Sequence, residues 1–285
     1  MKRSVFAVAL NHRSQTEEWA TRFHDAPYKT PPKTPVWFIK PRNTQRQSGN
    51  SIVLPEHQQT FSGATLAVVI GQKARKVSEA DAHHYIAGYA LANEISLAEE
   101  SFYRPAIKAK CRDGFCPIGD VGNVPDASAL DIVTEVNGVV KQSWSTADLH
   151  RNAAELIAAL SDFATLQAGD VILLGTPQER IPVIAGDIVT IKARRLPAPT
   201  TRAVSPASVA RPTPPPSVVS STTPASSARG HPAALPLAPA PRPSTPLMSL
   251  PVAVPLSTAP ATAPPPRPRA TRRVPAAWAM LAFAA

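Results

Sequence analysis

The chain has 285 residues, a net charge of +10 and a pI near 10.0, a balance that taken alone points to nucleic acid or an anionic surface. The distribution excludes that reading: the ninety residues after Arg195 hold eight arginines and no Asp or Glu, so the body is near neutral and carries no basic stripe. The tail arginines lie among prolines without interleaved aromatics for base stacking, and no stretch approaches the roughly 18–20 apolar residues of a membrane span, so neither a nucleic-acid nor a membrane partner is expected.

In chain order, residues 5–10 form an apolar run behind Lys2 and Arg3. The run is shorter than the roughly 7–15 residues of a signal-peptide core, and it predicts a first buried strand ending at Asn11-His12. Residues 15–23 have a helical composition. Pro27, Pro31, Pro32 and Pro35 then force extended or turn structure. The aromatic and β-branched residues 36–39 predict a strand, followed by a loop in which Lys40 and Arg42 offer two cations to a carboxylate, Arg42 bidentately.

Residues 66–70 are continuously apolar and predict a strand buried on both faces. Ser78 and Asp81 suggest a capped helix carrying His83 and His84, which as neighbours point about 100° apart and cannot chelate together. Residues 86–92 read as a strand or helix-to-strand segment, with Gly88 allowing close backbone approach. A basic run, Lys108 and Lys110, then closes on Asp113. Cys111 and Cys116 lie in the same loop; two thiols are too few for a structural zinc site, and they read as reduced thiols of a cytoplasmic protein.

Asn137-Gly138 between the strand-like runs 130–136 and 139–144 predicts a hairpin. Residues 146–160 predict the clearest helix, with Leu149, Ala153, Leu156, Ile157 and Leu160 on one face. Strands are expected at 171–174 and 188–191. Many short strands with two or three helices fit one α+β domain over residues 1–195.

Residues 196–285 differ in kind. They hold two-thirds of the prolines and lack Asp, Glu, Lys, Asn, Gln and Ile. Such a segment cannot bury enough apolar surface to offset its ordering entropy, and it predicts a low-complexity disordered tail. Its residue usage suits either an out-of-frame translation or a genuine linker.

The blocks VFAVALNHRSQ, VWFIKPRNT, SGAT, FYRPAIKAKCRDGFCPIG, STADLHRNAAELIAALSDFATL and GDVILLGTP, in this order, resemble the fumarylacetoacetate hydrolase family. Within it they are similar to the amino-terminal half, or first subunit, of the decarboxylase/isomerases of 4-hydroxyphenylacetate (homoprotocatechuate) breakdown. The resemblance covers residues 1 to about 195 and implies a mixed β-sandwich or roll with a few helices. It implies a magnesium or manganese ion held by a Glu-x-Glu pair and a later acid. Here the pair falls on Gly63 and Thr65, which cannot replace two carboxylates, and Glu94 is at the third position. Gln15 stands at a family histidine.

Lys110 matches the family's active-site lysine and Thr176 the threonine of its GTP turn, so these two are the expected catalytic residues; Lys40, Arg42, Arg104 and Asp113 are the expected substrate-binding ones. The implied substrate is a 2-oxo dicarboxylate or tricarboxylate. The implied activity is a share in 5-carboxymethyl-2-oxo-hex-3-ene-dioate decarboxylation and 2-hydroxyhepta-2,4-diene-dioate isomerisation. The alternative is a non-catalytic scaffold half that pairs with a metal-bearing homologue.

Overall fold

The computed structural model describes residues 3–99 and 101–209; the stretch from 210 on, on which most of the expected disordered tail falls, lies outside the described residues. The architecture is α+β, as expected. A seven-stranded sheet runs in the order Val36–Ile39, Val5–Ala9, Val171–Leu173, Ala64–Ile70, Ile86–Asn93, Cys116–Ile118, Gln45–Gln47. A five-stranded sheet is built on Asp131–Val136 and Ile188–Ala193, and a three-stranded one joins Thr60–Ser62 to Ile181–Val183 and Ser96–Leu97.

Ala64–Ile70 is the centre of the large sheet, and all of its residues are buried. Successive side chains of a strand point to opposite faces, and the two faces meet different cores. Leu66, Val68 and Ile70 pack with Leu156, Ile157 and Leu160, whereas Ala67 and Val69 pack with Val5, Ala7, Val171 and Leu173. Burial on both sides is why the run is continuous rather than alternating. Its partner Ile86–Asn93 is a strand throughout, and Gly88 is required there: a Cβ would come within 2.6 Å of the Gly122 carbonyl oxygen. The hairpin forms as expected, with Asn137 at φ 52° and Gly138 at φ 79°, the left-handed pair that a tight two-residue turn needs.

Three expectations are corrected. The helix expected over 146–160 is Ala153–Phe163, because Asn152 caps it: its side chain accepts from Ala154 N and Glu155 N, and Glu155 returns a bond to Asn152 N. Leu149 remains buried but lies before that cap, after a short turn at Thr146–Asp148. Ser78 and Asp81 do exchange hydrogen bonds, yet only a 3-10 turn, Ala82–Tyr85, follows them. The helical composition over 15–23 splits into Arg13–Glu18 and the 3-10 turn Arg22–His24.

The paired strands continue beyond residue 195. Thr200–Val204 pairs antiparallel with Ile188–Ala193 and parallel with Ser51–Val53, and Ala203 is buried. Its β-branched Thr and Val residues satisfy a strand although the surrounding composition is that of the tail.

Candidate active site

Two parallel strands, Val5–Ala9 and Val171–Leu173, end side by side next to the start of Ala64–Ile70. The loops leaving them are tied together. Asn11 Nδ2 donates to Leu174 O at 2.7 Å and to Arg151 O at 2.9 Å. Thr65 Oγ1 donates to Gly175 O at 2.7 Å and accepts from Gly175 N at 3.2 Å. Gly175 sits at φ 117°, and a Cβ added there would stand 3.2 Å from Asn11 Cβ, so the turn disfavours a side chain there. Gln15 Oε1 accepts from Leu10 N at 2.9 Å, which anchors the first loop.

These pieces enclose a cavity of about 10 Å³ lined by Gln15, Thr65, Glu94, Lys110, Thr176 and Arg180. That is room for about one water molecule. Both expected catalytic residues, Lys110 and Thr176, therefore face one space. Beside it lies a cavity of about 540 Å³, with mostly apolar walls that include Phe6, Phe38, Phe102 and Ile107 and with Lys110, Glu99 and Arg104 as its charged members.

The charges form one buried chain. Glu94 accepts from Lys40 Nζ at 2.9 Å on one oxygen and from Lys110 Nζ at 2.7 Å on the other. Lys110 also meets Glu99 at 3.0 Å, and Glu99 accepts from Arg180 at 2.7 Å. Arg180 further donates to Ser96 Oγ. Burial alone pushes the Glu94 carboxyl up, but Lys110, Lys40 and Arg180 reverse this and hold it well below the usual carboxylate range. Burial and the neighbouring Arg180 outweigh the two carboxylate partners of Lys110 and lower its pKa.

The sequence-derived substrate residues separate. Lys40 donates to Glu94, to Ile95 O at 3.2 Å and to Lys110 O at 2.6 Å. An ammonium has three donors, so Lys40 has none left for a ligand and is a structural staple. Arg42 is exposed outside the cavity lining, and exposed Arg104 reaches only the larger cavity. Asp113 is exposed, bonded to Asn43 Nδ2 at 2.7 Å, and lines a separate surface depression with Arg46 and Arg112. Arg180 and Glu99, unremarked in the sequence, pair with each other beside Lys110, Arg180 lining the small cavity and Glu99 the large one. Cys116 is buried, with its thiol pushed up to about 12 by burial, while half-buried Cys111 lines the larger cavity and burial raises its thiol too.

The Fumarylacetoacetate (FAA) hydrolase C-terminal model matches residues 4–204, through the last strand of the body. The chain belongs to the fumarylacetoacetate hydrolase family. It is 58% identical over 197 residues to the 4-hydroxyphenylacetate degradation bifunctional isomerase/decarboxylase of Escherichia coli, covering 69% of this chain and 46% of that protein. The counterpart from Salmonella dublin is 60% identical over 199 residues, covering 70% and 46%. The chain thus spans about half the length of these relatives. Among solved structures, 5-carboxymethyl-2-hydroxymuconate delta-isomerase from Mycobacterium smegmatis aligns with TM-score 0.61 and 32% identity over 71% of this chain and 78% of that one. Maleylpyruvate hydrolase from Sphingobium, in complex with manganese (II) and pyruvate, aligns with TM-score 0.58 and 25% identity, covering 71% and 70%.

The divalent ion that this family implies does not fit the residues present. Among the described residues no group of three or more His, Cys, Asp or Glu side chains could hold a metal. A Cβ at Gly63 would lie 2.9 Å from the Glu94 carbonyl oxygen and 3.0 Å from the Thr176 methyl. Thr65 is committed to the Gly175 turn, and both Glu94 oxygens face ammonium groups. Two lysines supply the positive charge that a cation would otherwise bring to Glu94.

Proposed function

We propose that this chain is the metal-free half of a fumarylacetoacetate hydrolase-family decarboxylase/isomerase assembly of 4-hydroxyphenylacetate breakdown, working in the cytoplasm beside a homologous half that holds the metal. The substrate class is a 2-oxo dicarboxylate or tricarboxylate. The observation that carries this reading is Glu94, the one acid left at a ligand position, with an ammonium on each oxygen. The identity to the isomerase/decarboxylases supports the assembly, and their greater length leaves room for the second half.

In such an assembly this half supplies a rigid, pre-folded partner rather than the Lewis acid. Its buried charges pair with one another, and its cores are apolar. The test is to assay this chain, the metal-bearing homologue and their mixture on 5-carboxymethyl-2-oxo-hex-3-ene-dioate with Mg²⁺. Turnover only with the homologue present is expected. Turnover by this chain alone at an ordinary enzymatic rate, about 1 s⁻¹ or more, overturns the reading.

A further inference from the structure

We propose that Lys110 and Arg180 together form a carboxylate-binding site held shut by the chain's own Glu99, whose carboxylate occupies the place of the ligand's. The inference rests on the reading above for the location of the site, and it names the ligand class: a small organic acid with one carboxylate at the polar end and an apolar body.

The argument begins with charge. The cluster holds three cations, Lys40, Lys110 and Arg180, against two carboxylates, Glu94 and Glu99, all with side chains at most 11% exposed. Glu94 already has Lys40 on one oxygen and Lys110 on the other, and Lys40 has no free donor. The demand for a second anion therefore falls between Lys110 and Arg180, where Glu99 Oε2 takes both, at 3.0 and 2.7 Å. An ammonium and a guanidinium converging on one carboxylate is the arrangement that proteins use to bind carboxylate ligands. Here the occupant comes from the same chain.

The second argument is position. Glu99 belongs to no helix or strand; it follows the two-residue strand Ser96–Leu97. Glu99, like Lys110, lines the 540 Å³ cavity. It is equally a wall of a cavity of about 210 Å³ on its other side, which Arg180 lines. Lys110 and Arg180 both line the 10 Å³ cavity as well. Glu99 thus stands where the two larger cavities share a wall, and the two cations it covers both line the small one. The larger cavity alone has the size of small-molecule sites, and Phe38, Phe102 and Ile107 give it walls for a hydrocarbon body.

A residue that fills a site lowers the apparent affinity of any external ligand by the fraction of time the site is open. Glu99 is thereby a built-in competitor, and the carboxylate of an incoming acid would take over its bonds to Lys110 and Arg180.

The test measures binding of hexanoate, with hexanamide as the uncharged control, to the full chain in metal-free buffer by calorimetry. Glu99→Gln is expected to bind hexanoate at least about tenfold more tightly than wild type, the factor set by about 1.4 kcal/mol, and to ignore hexanamide. Adding Arg180→Met should remove the gain. Equal hexanoate affinity in wild type and Glu99→Gln, or a gain that survives Arg180→Met, overturns the proposal. If Glu99→Gln does not fold, Glu99→Ala is refolded with acetate or with acetamide. Recovery with acetate alone supports the site; recovery with both, or with neither, overturns it. Neither metal, partner nor turnover enters these measurements, so failure of the assembly assay and failure of this proposal are separate results.

Discussion

Gly63 lies directly against Glu94: a Cβ on Gly63 would stand 2.9 Å from the Glu94 carbonyl oxygen, closer than real Cβ contacts come. The backbone hydrogen bond from Glu94 N to Gly63 O at 2.7 Å keeps the two strands at this separation. A carboxylate side chain at position 63, where the family resemblance implies a metal ligand, is thus opposed by backbone. Isothermal titration of the wild-type chain with Mn²⁺ should show no tight site. Gly63→Glu with Thr65→Glu should cost stability without creating one, because the strand must shift and Lys40 and Lys110 still cover Glu94. A tight stoichiometric site in the wild type would refute this account.

Lys40 holds three elements at once: Glu94, the backbone at Ile95, and the end of the short helix Ile107–Lys110. Removing one partner of a buried pair leaves an uncompensated charge, at a cost of about 3–5 kcal/mol. Lys40→Met should therefore lower stability by about that amount in denaturant unfolding. Lys40→Met combined with Glu94→Gln should cost less than the sum of the single changes, since contacting residues are not additive. Strict additivity would show that the pair is not coupled.

The strands were legible because burial on both faces, or on one, writes itself into a run of apolar residues, as at Ala64–Ile70 and in the hairpin at Asn137-Gly138. The apolar spacing places the helix start seven residues early, since Leu149 continues the pattern of Leu156 and Leu160 while Asn152 caps the helix after it. Lys110, Thr176 and Glu94, which the family blocks single out, line one cavity. The fate of Glu94 was not legible, because its partner Lys40 lies 54 residues away and only folding brings them together. Arg180 and Glu99 sit in short polar stretches that look like solvated loops, and spacing carries no sign that they pair across 81 residues. Lys40 and Arg42 look alike in sequence as cations at a strand end, yet one is buried and saturated and the other is exposed.

Thr65 is committed to a turn rather than open to a ligand. Its hydroxyl both donates to and accepts from Gly175, pinning the turn that presents Thr176. Thr65→Val keeps the shape and removes both bonds, leaving buried backbone groups of Gly175 without this partner. The expected loss is about 1–3 kcal/mol, read as a fall in the thermal midpoint. Thr65→Ser should retain most of the stability, and a neutral Thr65→Val would show that the turn holds without the hydroxyl.

Acid should unfold the body through Glu94. Burial raises its pKa, but Lys110, Lys40 and Arg180 lower it by more, so the folded value lies below the unfolded one of 4.5. A depressed carboxyl contributes its full stability above the unfolded value and loses it as the pH falls toward the folded value, because the unfolded chain then binds the extra proton. The stability of the wild type should hold as the pH is lowered to about 5 and then decline steadily below 4.5. Lys110 acts with the same sign from the alkaline side: its folded pKa is lowered from 10.5, so its burial as a cation costs stability that is recovered as the pH rises toward that value. Glu94→Gln should start lower at neutral pH and lose the part of the acid slope that belongs to this one carboxyl. The measurement is denaturant unfolding of both proteins at intervals of pH between about 3 and 7, a range that brackets ordinary carboxyl titration. Parallel curves for the two proteins would mean that other carboxyls set the acid limit and that the Lys40–Glu94–Lys110 cluster does not govern it.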